Sequence, residues 1–147
     1  LDKIPNSGMV SLMDIGEENS IHPMHKKEGG ERLALMALSK TYGLKGFGFE
    51  SPLYDTLSIN GSIVTLKFKN VKNGFTTFGK DLVNFEIAGK DQIFVPAKAE
   101  INGNEIVVSS PKIKEPVAVR YAFKDFVVGE LFSTEGLPAS SFRTDDF

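Results

Sequence analysis

The sequence predicts a mainly β protein: a short α/β piece made of a strand, a histidine loop and a helix, followed by an antiparallel β-sandwich. Three observations carry this expectation. A helical hydrophobic pattern occurs once, between about Glu28 and Tyr42. After Gly43 the pattern changes to short alternating runs, and turn residues separate those runs at close intervals.

Taken in order, Met9 to Met13 (MVSLM) is a short apolar run of the kind found in a buried strand. The helix follows, with Leu33, Met36, Ala37 and Lys40 on one face and Leu35, Leu38 and Tyr42 on an adjoining one. Two largely apolar faces predict a helix buried on two sides, as in an α/β layer. Gly29 and Gly30 disfavour a helix interior, which places its regular start near Glu31, and Gly43 is its C-terminal stop. The glycine-rich GLKGFGFESP (43–52) reads as a crossing segment. In LSINGSIVTLKF, Asn60-Gly61 separates two alternating runs and signals a hairpin, with Val64, Leu66 and Phe68 on one face. The plan repeats around Gly89 to Gln92 and around Asn102 to Asn104, and PVAVRYAF supplies another strand. Five to eight short strands with frequent turns give the sandwich.

Composition narrows the classes. The chain has 147 residues, 41% of them hydrophobic, which suffices for one good core, and a formal charge of −2 with no basic stripe to engage nucleic acid. With no cysteine there is no disulfide, no thiolate nucleophile and no Cys-based zinc site. No apolar run approaches the roughly 18 residues a membrane span requires. The expected partners therefore include neither nucleic acid nor membrane, and no cofactor or metal is expected. The pattern divides the chain into residues 1–48 and 49–147. About 40 residues rarely bury a core alone, so the first part is expected to be completed by something upstream. The opening LDKIPNSGM carries no signal-peptide pattern and reads as the middle of a protein.

The two histidines of the chain, His22 and His25, share one loop beside Pro23. The surrounding IPNSGMVSLMDIGEENSIHPMHKKEGGERLALMALSKTYG, with EIAGKDQIFVPAKAEINGNEIVVSSP, PVAVRYAF and the closing GLPASSFRTDD, resembles the sialate O-acetylesterase family, a branch of the SGNH-type carbohydrate esterases. The resemblance covers essentially the whole chain as that family's C-terminal portion. It implies that residues 1–48 are the end of an SGNH-type, flavodoxin-like esterase domain and that residues 49–147 are its β-sandwich extension. It further implies removal of acetyl groups from sugar hydroxyls, including O-acetylated sialic acid, by a serine nucleophile with His22 as general base. A secreted or periplasmic location would follow from a role on extracellular glycans.

Two departures from that family's pattern stand out. Asn19 occupies the position, three residues before the histidine, where an aspartate often orients the ring. Its amide oxygen can accept the imidazole hydrogen bond but cannot stabilise an imidazolium as a carboxylate does, and Asp14 is the alternative carboxylate. No G-x-S-x-G elbow occurs, and neither Ser7 nor Ser20 reads as a nucleophile. The chain is thus expected to bring the histidine while the N-terminal portion of the same esterase brings the serine, and to be inactive alone.

Other residues read as structural. His25 is a surface histidine, most phenylalanines (Phe47, Phe49, Phe68, Phe85, Phe94, Phe123) are core, and Arg120 and Arg143 pair with Asp145 or Asp146 to pin the C-terminal tail. Phe75 and Phe78, in a turn-rich stretch, are candidates for the junction or a cleft border. A competing reading makes residues 49–147 a non-catalytic module for carbohydrate binding or scaffolding, against which the absence of tryptophan counts.

Overall fold

The computed structural model describes residues 4–147. Helix α1 (Lys26–Lys40) precedes ten strands: β1 (Leu53–Asn60), β2 (Ile63–Lys69), β3 (Phe75–Thr76), β4 (Phe85–Ala88), β5 (Phe94–Pro96), β6 (Lys98–Asn102), β7 (Glu105–Ser109), β8 (Ala118–Tyr121), β9 (Phe132–Ser133) and β10 (Phe142–Arg143). The chain is mainly β and its sheets are antiparallel. One four-stranded sheet runs β1-β2-β7-β6, a second runs β10-β8-β4-β5, and β3 pairs with β9.

Local sequence sets the hairpins. Asn60 pairs with Ile63 and Asn102 with Glu105, so each turn holds two residues, and each begins with a left-handed glycine, Gly61 at φ 60° and Gly103 at φ 61°. A glycine has no Cβ to clash there, and such turns match the twist of the flanking strands. The expected Asn60-Gly61 hairpin is present, with its turn one residue later, over Gly61 and Ser62.

Alternation then builds the core, because successive side chains of a strand point to opposite faces. Val64 lies opposite Val108 and Leu66 opposite Ile106 in the first sheet; Phe85 lies opposite Tyr121 and Ile87 opposite Val119 in the second. All eight are fully buried and belong to one apolar cluster. Tyr54 of β1 stacks on Phe142 of β10 at 5.0 Å, joining the two sheets in a sandwich-like arrangement. The buried Tyr121 hydroxyl accepts the backbone N–H groups of Glu130 and Leu131, at 3.1 and 3.0 Å. The buried Glu130 carboxylate accepts the N–H groups of Val83 and Asn84, each at 2.9 Å, which offsets the cost of burying it. At the tail, Arg120 holds Asp145 through two hydrogen bonds of 2.9 and 2.8 Å, and Arg143 joins them, as expected from sequence.

Several expectations need correction. The helix starts at Lys26, with Gly29 and Gly30 inside it; Glu28 sits favourably in its first turn. It is not buried on two sides: only Arg32 and Met36 are buried, because no other described element packs on its remaining faces. Met9 to Met13 forms no strand, since no described strand lies beside it. The segment is held instead by the Gly129 N–H, which donates to the Met13 carbonyl at 2.7 Å. Phe75 is core, edge-on to Phe68, whereas Phe123 is exposed beneath Arg120 and Arg143. No helix among the described residues is long and apolar enough to cross a membrane.

Candidate functional site

The histidine loop is closed by local hydrogen bonds. Glu17 and Ser20 form an isolated antiparallel bridge, the Ser20 hydroxyl oxygen accepts the His22 backbone N–H at 3.1 Å, and the Glu17 carboxylate accepts the Met24 N–H at 2.7 Å. These bonds fix the backbone on both sides of His22 and leave its side chain exposed. The imidazole makes no hydrogen bond to a described residue. Asn19 is exposed in the same loop, and its amide makes no hydrogen bond to the ring. On either side, Ile21 is 91% and Met24 84% exposed. The imidazole is thus presented outward between uncovered apolar side chains.

Asp14 is not available to that ring. It receives two hydrogen bonds from Arg32, at 2.7 and 2.6 Å, while Arg32 also donates to the Ser11 carbonyl at 2.9 Å. The pair is largely shielded from solvent. This clamp ties the helix to the segment ahead of the histidine loop. Sequence reasoning missed it, although a signal existed: Arg32 is four residues before Met36 and therefore on the same buried stripe.

His25 contacts Glu28 at 3.1 Å on the surface. The backbone N–H of Glu28, followed by His25, holds the Glu28 carboxyl below its ordinary value. Ser7 donates its hydroxyl to the Ile4 carbonyl at 2.7 Å. Among the described residues, no three His, Cys, Asp or Glu side chains are grouped so as to hold a metal ion.

The described residues thus place one outward, exposed histidine on a self-closed loop ahead of an antiparallel β-sheet body. The chain is similar to XAC1771, a carbohydrate acetylesterase from Xanthomonas citri, with 36% sequence identity and a TM-score of 0.85. The match covers 91% of this chain and 31% of that protein, so this chain spans about a third of its length. No protein-family model matches the chain, and no curated protein does.

Proposed function

We propose that this chain is the C-terminal portion of a serine carbohydrate O-acetylesterase, with residues 1–48 ending an SGNH-type domain and residues 49–147 forming its β-sandwich extension. The observation that supports it most is the 36% identity to a carbohydrate acetylesterase across nearly all of this chain. His22 is the general base. It takes the proton of a serine hydroxyl as that oxygen attacks the acetyl carbonyl, then returns it to the sugar oxygen as the carbon–oxygen bond breaks. Water repeats the cycle on the acetyl-enzyme and releases acetate. The serine and the oxyanion donors belong to the N-terminal portion of the same esterase, which docks over the uncovered side chains of Ile21, Met24 and Leu33. Asn19 orients the imidazole in the complete enzyme; Asp14, committed to Arg32, does not.

The substrate is an acetylated carbohydrate, O-acetylated sialic acid being the specific case, and the setting is secreted or periplasmic. The test is acetyl release by the complete enzyme with His22→Ala. Loss of about 10³-fold or more in kcat with folding intact is expected. Near-normal turnover would end the assignment.

A further inference from the structure

The 46–50 segment crosses the turn at Asn70 to Asn73 and the turn at Glu135, and between them lies a cleft of about 330 Å³. We propose that this cleft binds a neutral pyranoside of a carbohydrate chain, as a site separate from His22. No residue of the histidine loop lines it.

Its chemistry is mixed in the way sugar recognition requires. Phe47 and Phe49 supply apolar surface for the C–H face of a ring, while Asn73 and Glu135 supply amide and carboxylate groups for hydroxyls. The volume is at the lower end of small-molecule sites, ~300–1,000 Å³, in which a few placed polar groups set orientation.

The walls are already built. The Asn73 amide donates to the Glu135 carboxylate at 2.8 Å, linking residues 62 apart in sequence. A Cβ at Gly48 would come within 2.6 Å of the Glu135 Cβ, so the crossing backbone is seated directly on that side chain. Asn70, at φ 63°, donates its amide to the Ser51 carbonyl at 3.2 Å and keeps its side-chain oxygen for another donor. Desolvation alone would raise the Glu135 carboxyl; the hydrogen bonds it accepts, that of Asn73 among them, and the nearby Lys72 charge hold it below the ordinary range.

Charge selects the ligand class. Glu50 is paired with Lys40 at 2.9 Å, and the lining itself carries two carboxylates, Glu50 and Glu135, against one lysine, Lys72. A sugar acid would be repelled where a neutral sugar is not. A second depression of about 270 Å³ shares Glu50 and Asn70 with the first, which extends the surface beyond one ring.

The experiment is an amide-resolved NMR titration of this chain with xylotetraose, cellotetraose and N-acetylneuraminic acid. At least one neutral tetrasaccharide is expected to shift Phe47 to Glu50, Asn70 to Asn73 and Glu135 with a Kd of roughly 1 mM, and N-acetylneuraminic acid to bind more weakly. Phe49→Ala and Asn73→Ala should each weaken binding about fivefold or more, and His22→Ala should leave it unchanged. Asn73 is exposed, so its variant carries the test if Phe49→Ala fails to fold. No shifts from either neutral sugar at roughly 10 mM, shifts centred elsewhere, or tighter binding of the acid would overturn the proposal. Acetyl release plays no part in this readout, so its failure and that of the esterase reading are distinguishable.

Discussion

Leu33 on the helix and Val64 on β2 are both apolar residues in periodic runs, yet Leu33 is 56% exposed and Val64 is fully buried. The difference separates two regions. From β1 onward, the core-facing apolar side chains meet others: Val64 meets Val108, Phe85 meets Tyr121, and the two four-stranded sheets share one cluster. The segment through residue 48 has apolar side chains with little to cover them, and the buried Arg32–Asp14 pair does much of the work that a core does elsewhere. A hydrophobic pattern therefore reveals which face wants cover, and says nothing about whether the cover is in the same chain.

The largest effect should come from the β-rich region. Phe85→Ala removes a fully buried ring from between the sheets and is expected to cost about 3–5 kcal/mol in denaturant unfolding. A cost under about 1 kcal/mol would mean that the two sheets do not depend on a common core.

Next comes the clamp. Arg32→Ala strands the Asp14 carboxylate in a shielded site and should cost about 3 kcal/mol. Amide exchange should show faster opening of α1 while β2, β4, β7 and β8 stay protected. Equal loss of protection in both regions would merge them into one cooperative unit and remove the contrast.

A smaller effect, tied to pH, belongs to the tail. The hydrogen bond from Arg120, more than offsetting the cost of burial, holds the Asp145 carboxyl below its ordinary value. A carboxyl with a depressed folded pKa contributes its stability in full above the ordinary range of about 4, and that contribution is lost as pH falls through the lower folded value. Asp145→Asn should cost about 2 kcal/mol near neutrality and flatten the acid limb of the stability curve. An unchanged acid limb would show that the Arg120 pairing is not what stabilises the tail.

The smallest effect is the sharpest test of the uncovered region. Met24→Ser should change the stability of this chain by no more than about 0.5 kcal/mol, because the side chain is 84% exposed. A larger loss would mean that Met24 is buried in solution and that the histidine loop is packed by this chain itself.

The β-rich part was legible because its signals are local. Asn60-Gly61 marks a hairpin, and the alternation of Val64 and Leu66 assigns a face without any knowledge of the partner strand. The tail pairing was legible in part, since Arg143 stands beside Asp145 and Asp146 near the chain end, while Arg120 reaches Asp145 from β8, 25 residues earlier. The strand expected at Met9 to Met13 was not, because strandness is a property of neighbours, and no described strand stands beside it. The Arg32 clamp was hidden for a related reason. An arginine in a charged helix start looks solvated until the 18-residue return to Asp14 is known. Phe75 and Phe123 exchanged roles, one buried and one exposed, because their placement depends on β3 pairing with β9 and on the reach of Arg120 and Arg143. His22 was singled out by resemblance; its exposure and free imidazole are compatible with that role, though the sequence alone could not have supplied them.

The most direct measurement compares acetyl release from an O-acetylated glycan by the full-length protein proposed to contain this chain and by its His22→Ala variant, with circular dichroism verifying that both are folded. A fall of about 10³-fold or more in kcat is the result expected if His22 is the base. Turnover within a few fold of the unaltered protein would contradict it and leave this chain without a catalytic group.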